Sequence, residues 1–130
     1  MAILDTTIII DFLRQKPNAI EAIQALFDSG EKTKTTLFNY YEAYYGEIAF
    51  GKPGSLEILE GFFDQIEIVP PTIQSIRTSA RIELELRKKG QVIDPNDLYI
   101  AGIAIERNET LYTNNTKDFE HISGLRVQKY

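Results

Sequence analysis

The first thirteen residues, Met1 to Leu13, restrict the fold more than any other stretch of the chain. Ala2-Ile3-Leu4 is too short for a helix and carries the residues of a buried strand. It stops at Asp5. After Thr6 and Thr7, Ile9, Phe12 and Leu13 recur at the i, i+3, i+4 spacing of a helix face. A strand that runs into a helix through one acidic residue delivers a carboxylate to the C-terminal end of an interior strand, where open α/β sheets build their sites. Asp is also a preferred helix cap, and this stretch alone does not separate the two roles.

The alternation continues along the chain. Lys16-Pro17-Asn18 is a break, with Asn18 placed to cap a helix whose apolar positions are Ile20, Ile23, Leu26 and Phe27 and whose stop is Gly30. Thr33 to Leu37, rich in β-branched residues and edged by Lys32 and Lys34, reads as a second strand. Phe38 to Phe50 reads as a helix with a heavy aromatic load. Phe38, Tyr41, Tyr45 and Ile48 form one apolar face, and Glu42 lies on its border. Ser55 then stands as the cap of a helix carrying Leu56, Leu59, Phe62 and Phe63. Ile66 to Val69 is a third strand, ended by Pro70-Pro71. A long helix from about Thr72 to Lys89 follows, with Ile73, Ile76, Ala80 and Leu84 on one face and Gly90 at its end.

Asp94-Pro95 has the chemistry of a helix start, and Asp97, Ile100, Ala101 and Ala104 share one face of that helix. Thr110 to Thr113 is a fourth strand, Asn114-Asn115-Thr116 a turn, Asp118-Phe119 part of a short helix or turn, and Leu125 to Gln128 a fifth strand. Strands alternating with helices predict a three-layer α/β/α fold with a central parallel sheet of four to five strands, in one domain spanning residues 1–130.

Composition narrows the chemistry. There is no cysteine and one histidine, His121, so thiolate and multi-histidine metal sites are excluded and a histidine-based triad is disfavoured. With 19 acids against 14 bases the net charge is −5, which opposes unspecific adhesion to nucleic acid or anionic membrane. A site that binds divalent ions reverses its own charge locally, so a nuclease is compatible with that balance. No basic leader precedes an apolar segment and no apolar run approaches about 18 residues, so the expectation is a soluble cytoplasmic protein without a membrane partner.

Four acids stand out from the solvated remainder. Asp5 ends a core strand, Asp97 lies on a small-residue helix face, Glu42 borders an aromatic face, and Asp118 follows the fourth strand. Each has a dull reading: Asp5 and Asp118 as caps, Asp97 as the acid of a capping box begun by Asp94, Glu42 as half-exposed surface. All four together require four coincidences. Carboxylates crowded to about 5 Å repel by roughly 3 kcal/mol per pair at an effective dielectric of 20, a cost that calls for a counter-ion. An all-oxygen donor set selects a hard ion, Mg²⁺ or Mn²⁺.

Motifs in the same order resemble those of the PIN-domain nucleases, and among them the VapC-like toxins of toxin–antitoxin pairs. The likeness spans essentially the whole chain. It rests on Leu4-Asp5-Thr6 with Ile8 and Leu13, and on Glu42 followed by Gly46, although the usual Leu after the Glu is Ala43. It rests further on Gly90-x-x-Ile93-x-x-x-Asp97-x-x-Ile100-Ala101 and on Leu111-x-Thr113-x-Asn115-x-x-Asp118-Phe119, closed by Gly124-Leu125-x-Val127. Tyr130 replaces a tryptophan common near the family's end.

The resemblance implies a metal-dependent ribonuclease in which Asp5, Glu42, Asp97 and Asp118 form the acidic site, with Thr6, Thr113 and Asn115 as supporting polar groups. It also implies a cognate antitoxin. Together with the aromatic surplus on Phe38–Phe50 and Leu56–Phe63, it leads to the expectation of a homodimer. Arg14, Lys16 and Lys117, near the motif ends, are the expected contacts to the RNA backbone. A haloacid-dehalogenase-like phosphatase wants Asp-x-Asp, and Asp5-Thr6-Thr7 lacks the second acid. A receiver-like phospho-acceptor domain fits poorly, since the acids are dispersed wrongly for it. The rival from another class is a PIN scaffold that binds RNA or a protein without cutting.

Overall fold

The computed structural model describes residues 1–130. Five parallel strands form one sheet in the order β3-β2-β1-β4-β5: β1 (Ala2–Leu4), β2 (Thr33–Thr36), β3 (Glu67–Val69), β4 (Thr110–Tyr112) and β5 (Val127–Gln128). The chain builds β1, β2 and β3 toward one edge and then returns to place β4 on the other side of β1. The order therefore reverses between β1 and β4, whose Leu4 and Tyr112 are partners. That switch point is where a parallel α/β sheet opens a crevice at its strand ends.

Side chains alternate across β1, and this divides the interior in two. Ala2 and Leu4 point into a cluster with Ile8 and Ile9 of α1 (Thr6–Leu13), Ala19, Ile23 and Leu26 of α2 (Pro17–Asp28), Ala43 of α3 (Leu37–Phe50), and Leu59, Phe62 and Phe63 of α4 (Ser55–Phe63). Ile3 points the other way, into a cluster with Ile82 and Leu86 of α5 (Ile73–Lys88) and Leu98, Ile100, Ile103 and Ala104 of α6 (Pro95–Arg107). Leu111, Phe119 of α7 (Thr116–Phe119) and Ile122 complete it. The three-layer expectation holds, with five strands. No helix is long and apolar enough to cross a membrane.

Several local expectations change. Pro17 rather than Asn18 opens α2, because a proline's fixed φ suits the first helical turn; Lys16 takes the cap position. At α4 the cap position is Gly54, in a left-handed conformation, and Ser55 is the first helical residue. The second strand ends at Thr36, whose hydroxyl caps α3, and only Val127–Gln128 of the fifth segment pairs as strand.

The largest difference lies in α5. Ile73, Ile76, Ala80 and Leu84, the face that looks apolar in sequence, point outward, while Ser75, Ser79, Ile82 and Leu86 are buried. Close packing on α6 is the reason. A Cβ at Gly102 would collide with Ser79 Oγ and with the Ser75 carbonyl oxygen, so α5 turns its smallest side chains toward that glycine. The Ser79 hydroxyl loses nothing by burial, since it lies within donating distance of Ser75 O (3.0 Å) and Leu98 O (2.8 Å).

A second interior feature was not legible in the sequence. Lys34, in a strand flanked by threonines, is buried and its Nζ lies 2.5 Å from Oε1 of the buried Glu109, which also accepts from Arg107 Nε at 3.3 Å. The pair spans β1, because Lys34 is the register partner of Ile3 and Glu109 immediately precedes β4.

Candidate acidic site

Asp5 leaves the C-terminal end of β1 at the switch point and is buried. It occupies the cap position of α1, yet its side chain makes no capping bond. Its carboxylate is instead held from both sides: Asn39 Nδ2 donates to Oδ1 at 2.9 Å and Thr113 Oγ1 donates to Oδ2 at 2.6 Å. Burial raises its pKa, and these donors oppose the rise. The capping reading of Asp5 thus gives way to that of a carboxylate fixed by donors from the first turn of α3 and from the residue after β4.

Around it the chain supplies a connected polar frame. Thr36, ending β2, and Asn39 form a reciprocal capping box, which locks the Asn39 amide with its NH₂ toward Asp5 and Thr6. Thr6 Oγ1 donates to Glu42 Oε1 at 2.8 Å, so α1 and α3 are tied together at the site. On the other side Thr113 receives the Asn115 amide at 2.9 Å, and Asn115 Nδ2 donates to Asp118 Oδ2 at 3.1 Å. Thr7 Oγ1 lies 3.3 Å from Thr113 Oγ1 and accepts from the Asn114 amide at 3.2 Å.

Asp97 stands in the first turn of α6, half-buried. Asp94 caps that helix by accepting from the Asn96 amide at 2.9 Å. Asp97 itself makes no side-chain hydrogen bond to the helix start, which removes the capping-box reading. Its pKa is pushed up to about 7, first by burial and then by the surrounding carboxylates of Asp5, Glu42, Asp94 and Asp118. Glu42 is raised as well, chiefly by burial, with the Thr6 hydrogen bond opposing and the Asp5 charge adding. No lysine, arginine or histidine forms an ion pair with Asp5, Glu42, Asp97 or Asp118. The contrast with Glu109, buried elsewhere and paired with a lysine, is direct.

Asp97 thus feels the charges of the other three predicted acids, and Thr6, Thr113 and Asn115 each hold one of those acids or its holder. No three acidic or histidine side chains close into a metal cage as they stand. The donor chemistry nonetheless suits a hard divalent cation. All candidate ligands are oxygens, and Mg²⁺ ordinarily keeps several waters and takes only one or two carboxylates. Burial does most to lift Asp97, and the carboxylate repulsion that adds to it is what a bound cation would offset.

Asn39 and Thr7 escaped the sequence reading. Thr36-x-x-Asn39 is a recognisable cap pair, and that spacing was the one signal available for Asn39. Of the expected cations, Arg14 is exposed and free of ion pairs, Lys16 is engaged by Asp11 at 3.3 Å, and Lys117 is exposed on α7 beside Asp118. Asp11 also accepts from the Tyr130 hydroxyl at 2.6 Å, which ties Tyr130 to α1.

A family model for the PIN domain matches residues 2–125. The chain belongs to the PIN-domain family. PIN-domain ribonucleases as a group depend on divalent metal ions, in keeping with the all-oxygen set found here. Among curated relatives of this PIN domain, the tRNA(fMet)-specific endonuclease VapC of Salmonella typhimurium is 30% identical over 98% of this chain and 96% of its own length. Ribonuclease VapC2 of Haemophilus influenzae is 27% identical over 98% of this chain and 96% of its own. Among solved structures, VapBC2 of Rickettsia felis bound to a promoter DNA fragment superposes with a TM-score of 0.89 at 25% identity, covering 99% of this chain and 98% of that one. The DNA-bound VapBC of Salmonella typhimurium superposes at 0.86 with 29% identity, covering 98% and 96%.

Proposed function

We propose that this PIN domain is the ribonuclease toxin of a VapBC-type pair, hydrolysing RNA phosphodiesters at Asp5, Glu42, Asp97 and Asp118 with a bound Mg²⁺ or Mn²⁺. The observation that carries the assignment is Asp97, a half-buried carboxylate with no basic partner and four acids around it. These carboxylates would hold a divalent ion, which would supply Lewis acidity toward a water and the attacked phosphate. The chain's own residues do the positioning. Asn39 and Thr113 immobilise Asp5, Thr6 fixes Glu42, and Asn115 fixes Asp118, so the acids present oxygens whose orientation is set before substrate arrives. No side chain at the site is placed as a nucleophile, which leaves water for that role.

Arg14, Lys16 and Lys117 contact the RNA backbone in this reading. The protein works in the cytoplasm as a homodimer and is held inactive by an antitoxin, a partnership supported by the likeness to the VapBC complexes of Rickettsia felis and Salmonella typhimurium. Tyr41, Tyr45 and Ile48, 64%, 55% and 59% exposed on the outer face of α3, form an apolar stripe suited to a protein interface. The deciding experiment is cleavage of a mixed RNA pool with Mn²⁺ and with excess EDTA. Cleavage that depends on metal supports the reading; an RNA left intact by metal-loaded protein overturns it.

A further inference from the structure

A groove of about 620 Å³ opens beside the acid cluster, and Glu42 belongs to both. It runs between α1, the C-terminal half of α3 and the start of α4, with Ile10 on its apolar wall. Three features set it apart from a generic surface cleft. Gly46 contributes no side chain where α3 faces the groove, and a Cβ there would meet nothing within 4 Å, so the glycine keeps space open rather than relieving a clash. Phe50, at the end of α3, is 85% exposed although it is among the largest apolar side chains present. Arg14 and Lys52 reach the groove with no carboxylate within ion-pair distance, in a protein whose net charge is −5. Glu47, the other acid lining it, is turned back against Gly51.

We infer that this groove seats the nucleotide adjacent to the cleaved phosphate, with Phe50 stacking on its base and Arg14 and Lys52 holding its phosphate. The inference rests on the ribonuclease reading and adds Phe50, Gly46 and Lys52 to it. An RNA strand with a phosphate at the acids carries a neighbouring nucleotide on each side, and the groove that begins at Glu42 offers one of them a seat. The volume falls within the range of small-ligand sites. An exposed aromatic flanked by free cations is how single-stranded nucleic acid is held without reading sequence. An amphipathic helix laid here would cover Ile10 and Leu13 but would have to bring its own acids to pair Arg14 and Lys52, whereas a phosphate pairs them by its own charge.

The test uses a mixed-sequence single-stranded RNA pool, with cleavage rate followed against RNA concentration and binding followed separately by fluorescence anisotropy. Phe50→Leu and Gly46→Leu, the second filling the space, are expected to raise KM about 5- to 150-fold, the loss of one base stack. Phe50→Tyr is expected to restore it, and Lys52→Ala to flatten the dependence of binding on salt. Phe50 is solvent-exposed and Gly46 is unobstructed, so neither change threatens the fold. Wild-type KM in both leucine variants, with cleavage intact, overturns the groove assignment and leaves the nuclease reading standing. Groove-dependent binding without any cleavage supports the groove and overturns the nuclease reading. Unchanged RNA handling with loss of a co-expressed protein partner assigns the groove to that partner and overturns the inference, as does a pool that neither binds nor is cut.

Discussion

Replacing Asp97 by Asn separates a catalytic carboxylate from a structural one. A carboxyl held at about 7 instead of 3.8 carries, at 1.36 kcal/mol per pH unit, an upper bound of about 4 kcal/mol of destabilisation in its ionised form. Asp97 is only half-buried, so water screens much of that, leaving about 1–2 kcal/mol. The sign follows from linkage. The folded state binds this proton more tightly than the unfolded chain, so metal-free protein loses stability as pH rises from about 4 to about 7. Asn cannot ionise, keeps nearly the same volume and breaks no hydrogen bond that Asp97 makes in the fold.

Metal-free Asp97→Asn is therefore expected to melt higher than wild type at pH 7.5 by roughly 3–8 °C, with the two converging near pH 4. The variant should also lose most of the metal stabilisation, which for wild type at a hundredfold excess over Kd amounts to about 2.7 kcal/mol. RNA cleavage should fall by orders of magnitude. Thermal melts across pH, with and without Mn²⁺, and a cleavage assay on one preparation read all three. A variant that is less stable by around 1 kcal/mol at every pH and still cuts RNA removes Asp97 from the site and returns it to the helix start.

Truncating either member of the buried pair, as in Lys34→Ala or Glu109→Ala, should cost about 3–5 kcal/mol in urea unfolding, whereas Lys34→Met with Glu109→Leu should lie near wild type. Gly102→Ala drives a Cβ into Ser79 and the Ser75 carbonyl and should cost about 1–3 kcal/mol, measured the same way. Thr113→Val removes the donor to Asp5 Oδ2 and should destabilise the protein by about 1–3 kcal/mol while lowering cleavage, since Asp5 is left under-satisfied and free to turn. Charge reversal at Arg14, Lys16 or Lys117 should weaken RNA binding and reduce its salt slope by about one for each phosphate no longer neutralised, with Lys16 least affected because Asp11 already engages it.

What the sequence could reveal depended on the range of the interaction concerned. The period-2 and period-3.6 patterns and the Pro and Gly stops are local, and they place Asp5 at a strand end and Asp97 in a first helical turn correctly. The crowding of the four acids was visible only as a coincidence of positions, because the hydrogen bonds of the site join residues up to 108 apart in the chain, as between Thr113 and Asp5. Residues that act through tertiary contact escaped altogether. Asn39 looks like an ordinary helix residue until its amide is seen on Asp5 and Thr6. Lys34 looks like a strand edge until Glu109 is found across β1. In α5 hydrophobicity pointed to the wrong face, since the close approach at Gly102 selects for small side chains over apolar ones.

Whether the four acids form one metal-dependent site is best decided at Glu42 and Asp118. Glu42→Gln keeps the oxygen that accepts from Thr6, and Asp118→Asn keeps one that accepts from Asn115, so both variants retain the frame while losing charge. The measurement is the rate of RNA cleavage as a function of Mn²⁺ concentration, with each variant's melting temperature recorded beside it. Both metal-free variants are expected to melt no lower than wild type at neutral pH, with Glu42→Gln higher because burial disfavours its charge, to cleave RNA slower by orders of magnitude, and to need more Mn²⁺ for the activity that remains. Wild-type rates at wild-type Mn²⁺ concentrations in either variant would show that the four acids do not share a metal site.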